Sequence, residues 1–192
     1  MIHSILKQST RNLHAALETK LRILLSDEIS LDQYVAVQKK FYGFYRPIEM
    51  HLLSIRGGDD PELQIQTRLK LPLLIGDLAA LAVNSDELAR LPFCESLPRL
   101  ATISEALGCL YVLEGSTLGG KIITRHLKKV LPVDESQGCS FFNSYGDDVG
   151  RMWSTFLGIL ARHCQRHEDS DVVVYSACQT FASLDRWLSD AA

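Results

Sequence analysis

The sequence predicts an all-α single domain, and three observations carry that prediction. Apolar residues recur at intervals of three and four along most of the chain, while period-two alternation is rare. Helix punctuation falls between the periodic runs, with Ser30 before one, Pro72 at the start of another and Pro132 after a third. The length of 192 residues suits one sizeable core, so a single domain over 1–192 is expected. No internal repeat or low-complexity segment interrupts it.

The elements follow in order. Residues 4–25 form a first amphipathic helix, with Leu6, Leu13, Leu17, Leu21, Leu24 and Leu25 at roughly helical spacing. Residues 26–30 are a polar break, and Ser30 is placed to cap a second helix. That helix carries Tyr34, Val37, Phe41, Phe44, Tyr45 and Ile48, and Pro47 should kink it or end its first part. Residues 56–61, RGGDDP, are a loop by their turn residues. A third helix is expected from about Pro72, where a proline is tolerated in the first turn. Residues 92–98 form the next connection. The longest helical pattern spans 102–130, followed by a loop over 136–140. Two more amphipathic helices occupy 149–166 and about 171–188. The Val172-Val173-Val174 triplet could also be strand, but no partner strand is evident. The count comes to about seven to nine helices.

Composition narrows the function. Hydrophobic residues make up 46% and charged residues 22%, which is ordinary for a soluble globular chain. A net charge of −3 supplies no general attraction for nucleic acid or an anionic membrane. No apolar run is long enough to span a bilayer. The opening residues MIHSILKQST lack the parts of a signal peptide, so a cytoplasmic location is expected. Cys94, Cys109, Cys139, Cys164 and Cys178 are dispersed, without a C-x-x-C pair. Free thiols in a reducing compartment follow, with Cys109 a small buried hydrophobe. His163 and His167 are four apart, but with no third ligand in sight they are expected on a solvated helix face.

Residues 110–121, LYVLEGSTLGGK, are the unusual stretch. Gly115, Gly119 and Gly120 sit inside a helical pattern, and each costs about 0.5–1 kcal/mol relative to alanine. What glycine offers in return is close approach. Gly115 and Gly119 share one helix face. A small-residue contact between helices, a turn and a platform for a flat ligand all fit this pattern. A second stretch lies near the N-terminus. Thr10, His14 and Glu18 are four apart and stack along one face, with Leu6, Leu13, Leu17 and Leu21 beside it. His14 therefore belongs at the edge of the core. Its imidazole can offer one nitrogen to a metal and the other N–H to Glu18 or a backbone carbonyl.

Together these stretches resemble the haem oxygenase family. The likeness lies in T-x-x-x-H-x-x-x-E with a lysine, Lys7, seven residues before the histidine. About one hundred residues later comes Y-x-x-x-G-S-x-x-G-G. FYGFYRPIE at 41–49 resembles the family's second-helix region, and Asp77 with Leu78 and Leu81 fits a D-L-x-x-L pattern seen there. FFNSYGDDVGRMWSTF at 141–156 is similar to a segment of the bacterial branch, which includes enzymes that supply bilin to bacterial phytochromes.

The resemblance implies a haem oxygenase-like bundle. Haem b, iron protoporphyrin IX, would lie between a proximal N-terminal helix and a kinked glycine-rich distal helix, as both substrate and prosthetic group. His14 would be the metal ligand, oriented by Glu18. Gly115, Gly119 and Gly120 would leave room on the distal side, and Lys7 and Tyr111 would hold a propionate. Arg125, Lys128, Lys129 and Arg151 are further basic candidates, because the family's other basic positions fall on Ser154 and Gly158. Many members carry aspartate where this chain has Ser116, and a hydroxyl can hold a water but not the same charge. The implied reaction opens haem to biliverdin, CO and iron with O2. No nucleotide-binding fingerprint is present, so electrons would come from a separate donor of the ferredoxin or flavodoxin reductase type. A phytochrome receiving biliverdin is the further partner implied. The rival expectation is a haem-binding or haem-buffering protein on the same fold without turnover.

Overall fold

The computed structural model describes residues 2–55 and 63–189. Among them are seven α-helices and no strand: α1 Ile2–Lys20, α2 Leu31–Ser54, α3 Leu71–Ala80, α4 Ser85–Arg90, α5 Ile103–Val130, α6 Val149–His163 and α7 His167–Ser189. Short 3-10 segments occupy Leu21–Leu25, Gln66–Arg68 and Gly146–Asp148. The expected loop at 56–61 lies outside the described residues. No helix among the described residues is long and apolar enough to cross a membrane.

The two longest helices begin with capping boxes. Ser30 accepts from the Gln33 amide while the Gln33 side chain accepts from the Ser30 amide. Thr102 and Glu105 do the same for α5. Each box satisfies two amide donors that a helix start otherwise leaves open.

Pro47 does not end α2, contrary to one of the expectations above. A proline removes the donor that would have served the carbonyl four residues earlier. Here that carbonyl belongs to Gly43, and it accepts from the Cys94 amide at 3.0 Å instead. The 92–94 connection can come this close because Gly43 has no side chain: an added Cβ would stand 2.5 Å from the Pro92 carbonyl oxygen. The valine triplet is helical and belongs to α7, which starts earlier than expected, at His167. His163 and His167 are on different helices rather than on one face. His163 ends α6, and its Nε2 lies 2.8 Å from Ser104 Oγ.

α7 is the backing of the molecule. It packs most extensively on α5 and next on α1. The α5–α7 seam is made of small residues. A Cβ on Gly108 would stand 2.3 Å from the Val173 carbonyl oxygen and 2.7 Å from Ser176 Cβ. Ala177 and Thr180 are fully buried there, and Ser176 donates to the Glu105 carbonyl at 2.6 Å. Cys109 is buried in the same seam, and burial pushes its thiol up to about 12, as an inert small hydrophobe requires.

A second tight contact fixes the far part of α5. Asp77 of α3 accepts from the Ser140 amide and hydroxyl and from the Phe141 amide, at 2.7–2.8 Å. That carboxylate holds the 139–142 turn so that the Phe142 carbonyl oxygen presses on Gly120, 1.9 Å from where a Cβ would be. Gly120→Ala should therefore destabilise the protein by about 1–3 kcal/mol, as overpacking does. Gly119→Ala, where an added Cβ meets nothing within 4 Å, should be neutral or stabilising by up to about 1 kcal/mol. Thermal or denaturant unfolding of the two variants checks this, and equal effects would contradict the packing described.

Candidate functional site

α1 and α5 run side by side in the same sense and meet at two places. Near the start of α1, the His3 and Tyr111 rings are edge-on with centroids 6.3 Å apart. The Thr10 hydroxyl, which donates to the Leu6 carbonyl at 2.8 Å, also lies near Tyr111. Beyond the end of α1, His126 Nε2 lies 3.0 Å from the Ser26 carbonyl oxygen, and its Nδ1 lies 4.0 Å from Asp27. Tyr111, Gly115, Leu118, Gly119, Ile122 and His126 follow one another at helical spacing, so they share a face. Both ends of that face touch the α1 side, so its middle looks toward the middle of α1.

The middle of the α5 face is open and apolar. An added Cβ at Gly119 meets nothing within 4 Å, and one at Gly115 meets only the Trp153 ring at 3.7 Å. Leu118 is 44% exposed and Ile122 63%. An exposed apolar stripe on a central helix is the mark of a binding groove. α5 is helical without a break from Ile103 to Val130.

On α1, His3, Lys7, Thr10 and His14 form the matching stripe. His3 and Thr10 touch Tyr111, which places His14 and Lys7 on the α5-facing side. The His14 side chain is 55% exposed, with Nδ1 3.5 Å from Glu18 Oε2. Its ring stands edge-on to Phe181 of α7 at 5.9 Å. The carboxylate favours the tautomer with the proton on Nδ1, so the Nε2 lone pair is left to ligate. Nε2 has no hydrogen bond among the described residues. Lys7 is exposed and has no ion-pair partner among them.

The remaining expected residues are placed as follows. Tyr111 is buried among His3, Trp153 and Thr10. Burial raises its phenol, and the nearby Thr10 hydroxyl opposes this. Ser116 donates to the Leu113 carbonyl at 2.7 Å. The Tyr45 phenol near it is raised chiefly by burial. Gly120, unlike Gly115 and Gly119, is packed against the Phe142 carbonyl, which occupies its side-chain space. Lys128 is engaged with Glu135, and Arg151 with Asp148.

Sequence reasoning missed a cluster directly behind the open face. Glu114, Arg68, Lys70 and Glu49 are all at most 3% exposed. Glu114 pairs with Arg68, accepts from Lys70 Nζ at 3.1 Å, and accepts from the Tyr145 hydroxyl at 2.8 Å. Glu49 accepts from the Lys70 and Leu71 amides at 2.6 and 3.0 Å. Burial pushes the Lys70 ammonium down, opposed by Glu114, and pushes the Glu49 carboxyl up, opposed by the two amides. The signal available was a glutamate inside an apolar helical run.

This donor set fits a haem. One imidazole has a carboxylate 3.5 Å from its Nδ1, an apolar glycine face lies on the neighbouring helix, and a lysine stands two turns away. Two grooves elsewhere, one along α2 with Leu91, Pro92 and Trp187 and one around 93–96 with 183–189, contain no histidine. The second contains Cys94, but its thiol is buried against Ser183, with Sγ 3.8 Å from the Ser183 hydroxyl. No group of three or more histidine, cysteine or carboxylate residues that could hold a bare metal ion occurs among the described residues.

Comparisons with known proteins agree with the geometry. The fold matches a heme oxygenase from Leptospira interrogans with a TM-score of 0.80 and 16% identity, covering 99% of each chain. It also matches a NO- and CO-bound heme oxygenase from Neisseria meningitidis, with a TM-score of 0.73 and 20% identity, over 100% of this chain and 94% of that one. No curated protein matches the sequence itself. The model of the family described as Heme oxygenase matches residues 2–190. With a family match over nearly its whole length and an all-α fold shared with bacterial members, the chain belongs to the haem oxygenase family.

Proposed function

We propose that this protein is a haem oxygenase that opens haem b to biliverdin, CO and iron, using O2 and electrons from a separate donor. The observation that carries the reading is the pairing of two stripes. His14, with Glu18 beside it, lies on the α1 stripe whose His3 meets Tyr111, and Tyr111 shares its α5 face with the glycine-cleared apolar surface at Gly115 and Gly119. When bound, haem supplies the redox-active iron and is itself the molecule degraded.

The chain's own residues bind, orient and exclude. His14 Nε2 would hold the iron, with Glu18 3.5 Å from Nδ1 to orient the ring. Lys7 supplies a cation for a propionate carboxylate, and Tyr111 is the hydroxyl at the same end. Gly115 and Gly119 keep the distal side clear, while Leu118, Ile122 and Trp153 line it with apolar surface. A water-excluding lining strengthens the few polar interactions made inside it. Ser116 stands where many relatives carry an acid. Its proton goes to the Leu113 carbonyl, which leaves the oxygen to accept from a water without a fixed charge. Five free thiols suit a reducing compartment such as the cytoplasm. The sequence likeness to the bacterial branch supports a phytochrome as recipient of the bilin.

The test is aerobic reduction of the hemin-loaded protein with chromatographic identification of the product. Biliverdin is expected from the unsubstituted protein, with a sharp loss in His14→Ala and a changed nitrogen-ligand signature in resonance Raman. Stable haem through many reduction cycles would instead identify a haem-buffering protein.

Gly119→Leu separates the distal role from plain packing. Leucine is the better helix former by several tenths of a kcal/mol, and the site has room. Stability should hold or rise, hemin should still bind through His14, and bilin yield should fall severalfold or more. Normal yield with a raised melting temperature would remove Gly119 from the distal surface.

A further inference from the structure

Glu114 immediately precedes Gly115, yet its carboxylate points away from the open face into the core. The helix beyond it has few ways to be held. Gly115, Gly119 and Gly120 have no side chains to grip. Ser116 and Thr117 spend their hydroxyls on carbonyls of their own helix, at Leu113 and Glu114. The neighbours that hold this turn are the Phe142 carbonyl at Gly120, the exposed Lys121–Asp147 pair at 2.9 Å and the buried cluster at Glu114.

That cluster joins distant parts of the chain. Arg68 and Lys70 come from the segment before α3, and Tyr145 from the turn before α6. Lys70 Nζ also donates to the Tyr145 hydroxyl at 2.6 Å. Glu49 ties the same segment to α2 through the Lys70 and Leu71 amides. The charges balance, two cations against two carboxylates. Arg68 has Glu114 as its carboxylate partner, and its buried Nε has no partner among the described residues. Removing the charge of Glu114 leaves two buried cations facing each other with one carboxylate remaining, a severe imbalance in a low-dielectric interior.

We propose that Glu114 is a positioning residue for the distal surface: clamped by Arg68, Lys70 and Tyr145, it fixes where the Gly115–Gly119 backbone stands over the haem. The inference rests on the haem oxygenase reading for its consequence, but the clamp itself belongs to the haem-free protein. Glu114 touches no substrate and acts through the backbone it holds.

Two variants test it. Glu114→Gln removes the charge at nearly constant shape. Tyr145→Phe removes one hydroxyl link and keeps the ring beside Lys70, 4.1 Å from its Nζ, so it serves if the first variant does not fold. The first measurement is amide hydrogen exchange of the haem-free protein. Exchange should speed up severalfold at 115–121 and stay unchanged at 173–181, in the seam with α7. The second is vibrational spectroscopy of the reduced, CO-treated hemin complex. The C–O stretch, which senses the distal surroundings, should shift while the iron–histidine stretch from the proximal side stays put. Exchange that rises uniformly, or an unaltered C–O stretch, would reduce Glu114 to a general stabiliser and overturn the proposal. Failure of the unsubstituted protein to take up hemin would overturn the haem reading instead, and the exchange comparison would still decide whether the clamp holds the glycine segment.

Discussion

The close contact of Gly108 with Val173, Ser176 and Ala177 is the one on which the rest of the arrangement depends. Helices separated by large side chains stand farther apart than helices that meet through small ones. By admitting α7 at short range, Gly108 lets a single helix back both α5 and α1. α1 and α5 then need not pack tightly on each other. α5 touches the start of α1 at His3–Tyr111 and the chain beyond α1 at Ser26–His126, and the stretch between those contacts is spared for a ligand. A groove in a small all-α domain has to be defended against collapse, because apolar surface is driven together. Here α7 supplies the burial that the α1 and α5 faces do not give each other.

The glycines of α5 divide this work between them. Gly108 and Gly120 are pressed against carbonyl oxygens on either side of the open stretch, while Gly115 and Gly119 leave space. Packing glycines set where the helix lies, and clearing glycines set what fits above it. The charge cluster at Glu114 adds a directional constraint that packing alone lacks. Buried ion clusters are costly unless fully partnered, and their usual return is definition of a single arrangement rather than stability. A distal surface made mostly of backbone has particular use for such definition.

Much of this was legible in the sequence. Periodicity gave the long helices, Ser30 and Pro72 marked two of their starts, and the Thr10–His14–Glu18 spacing put the imidazole beside its carboxylate. What was missed depends on partners far along the chain. Pro47 reads as a helix breaker until the Cys94 amide is seen to serve the Gly43 carbonyl. Gly119 and Gly120 are adjacent glycines in the sequence, and only the Phe142 carbonyl tells them apart. Glu114 looks like an exposed charge in an apolar run until Arg68 and Lys70, more than forty positions earlier, are found around it. The short α4 escaped because its six residues have no apolar period, although Asn84 capping Glu87 was a usable sign. His163 and His167 misled because a spacing of four implies one face only within one helix.

The central claim is that the α1 and α5 stripes form two walls of a single haem site. A crystal structure of the hemin complex tests it most directly. The account predicts iron on His14 Nε2, Glu18 at Nδ1, and the porphyrin plane lying against Gly115 and Gly119 with a propionate toward Lys7. Iron held by His3 or His126, or haem seated outside the space between α1 and α5, would contradict it.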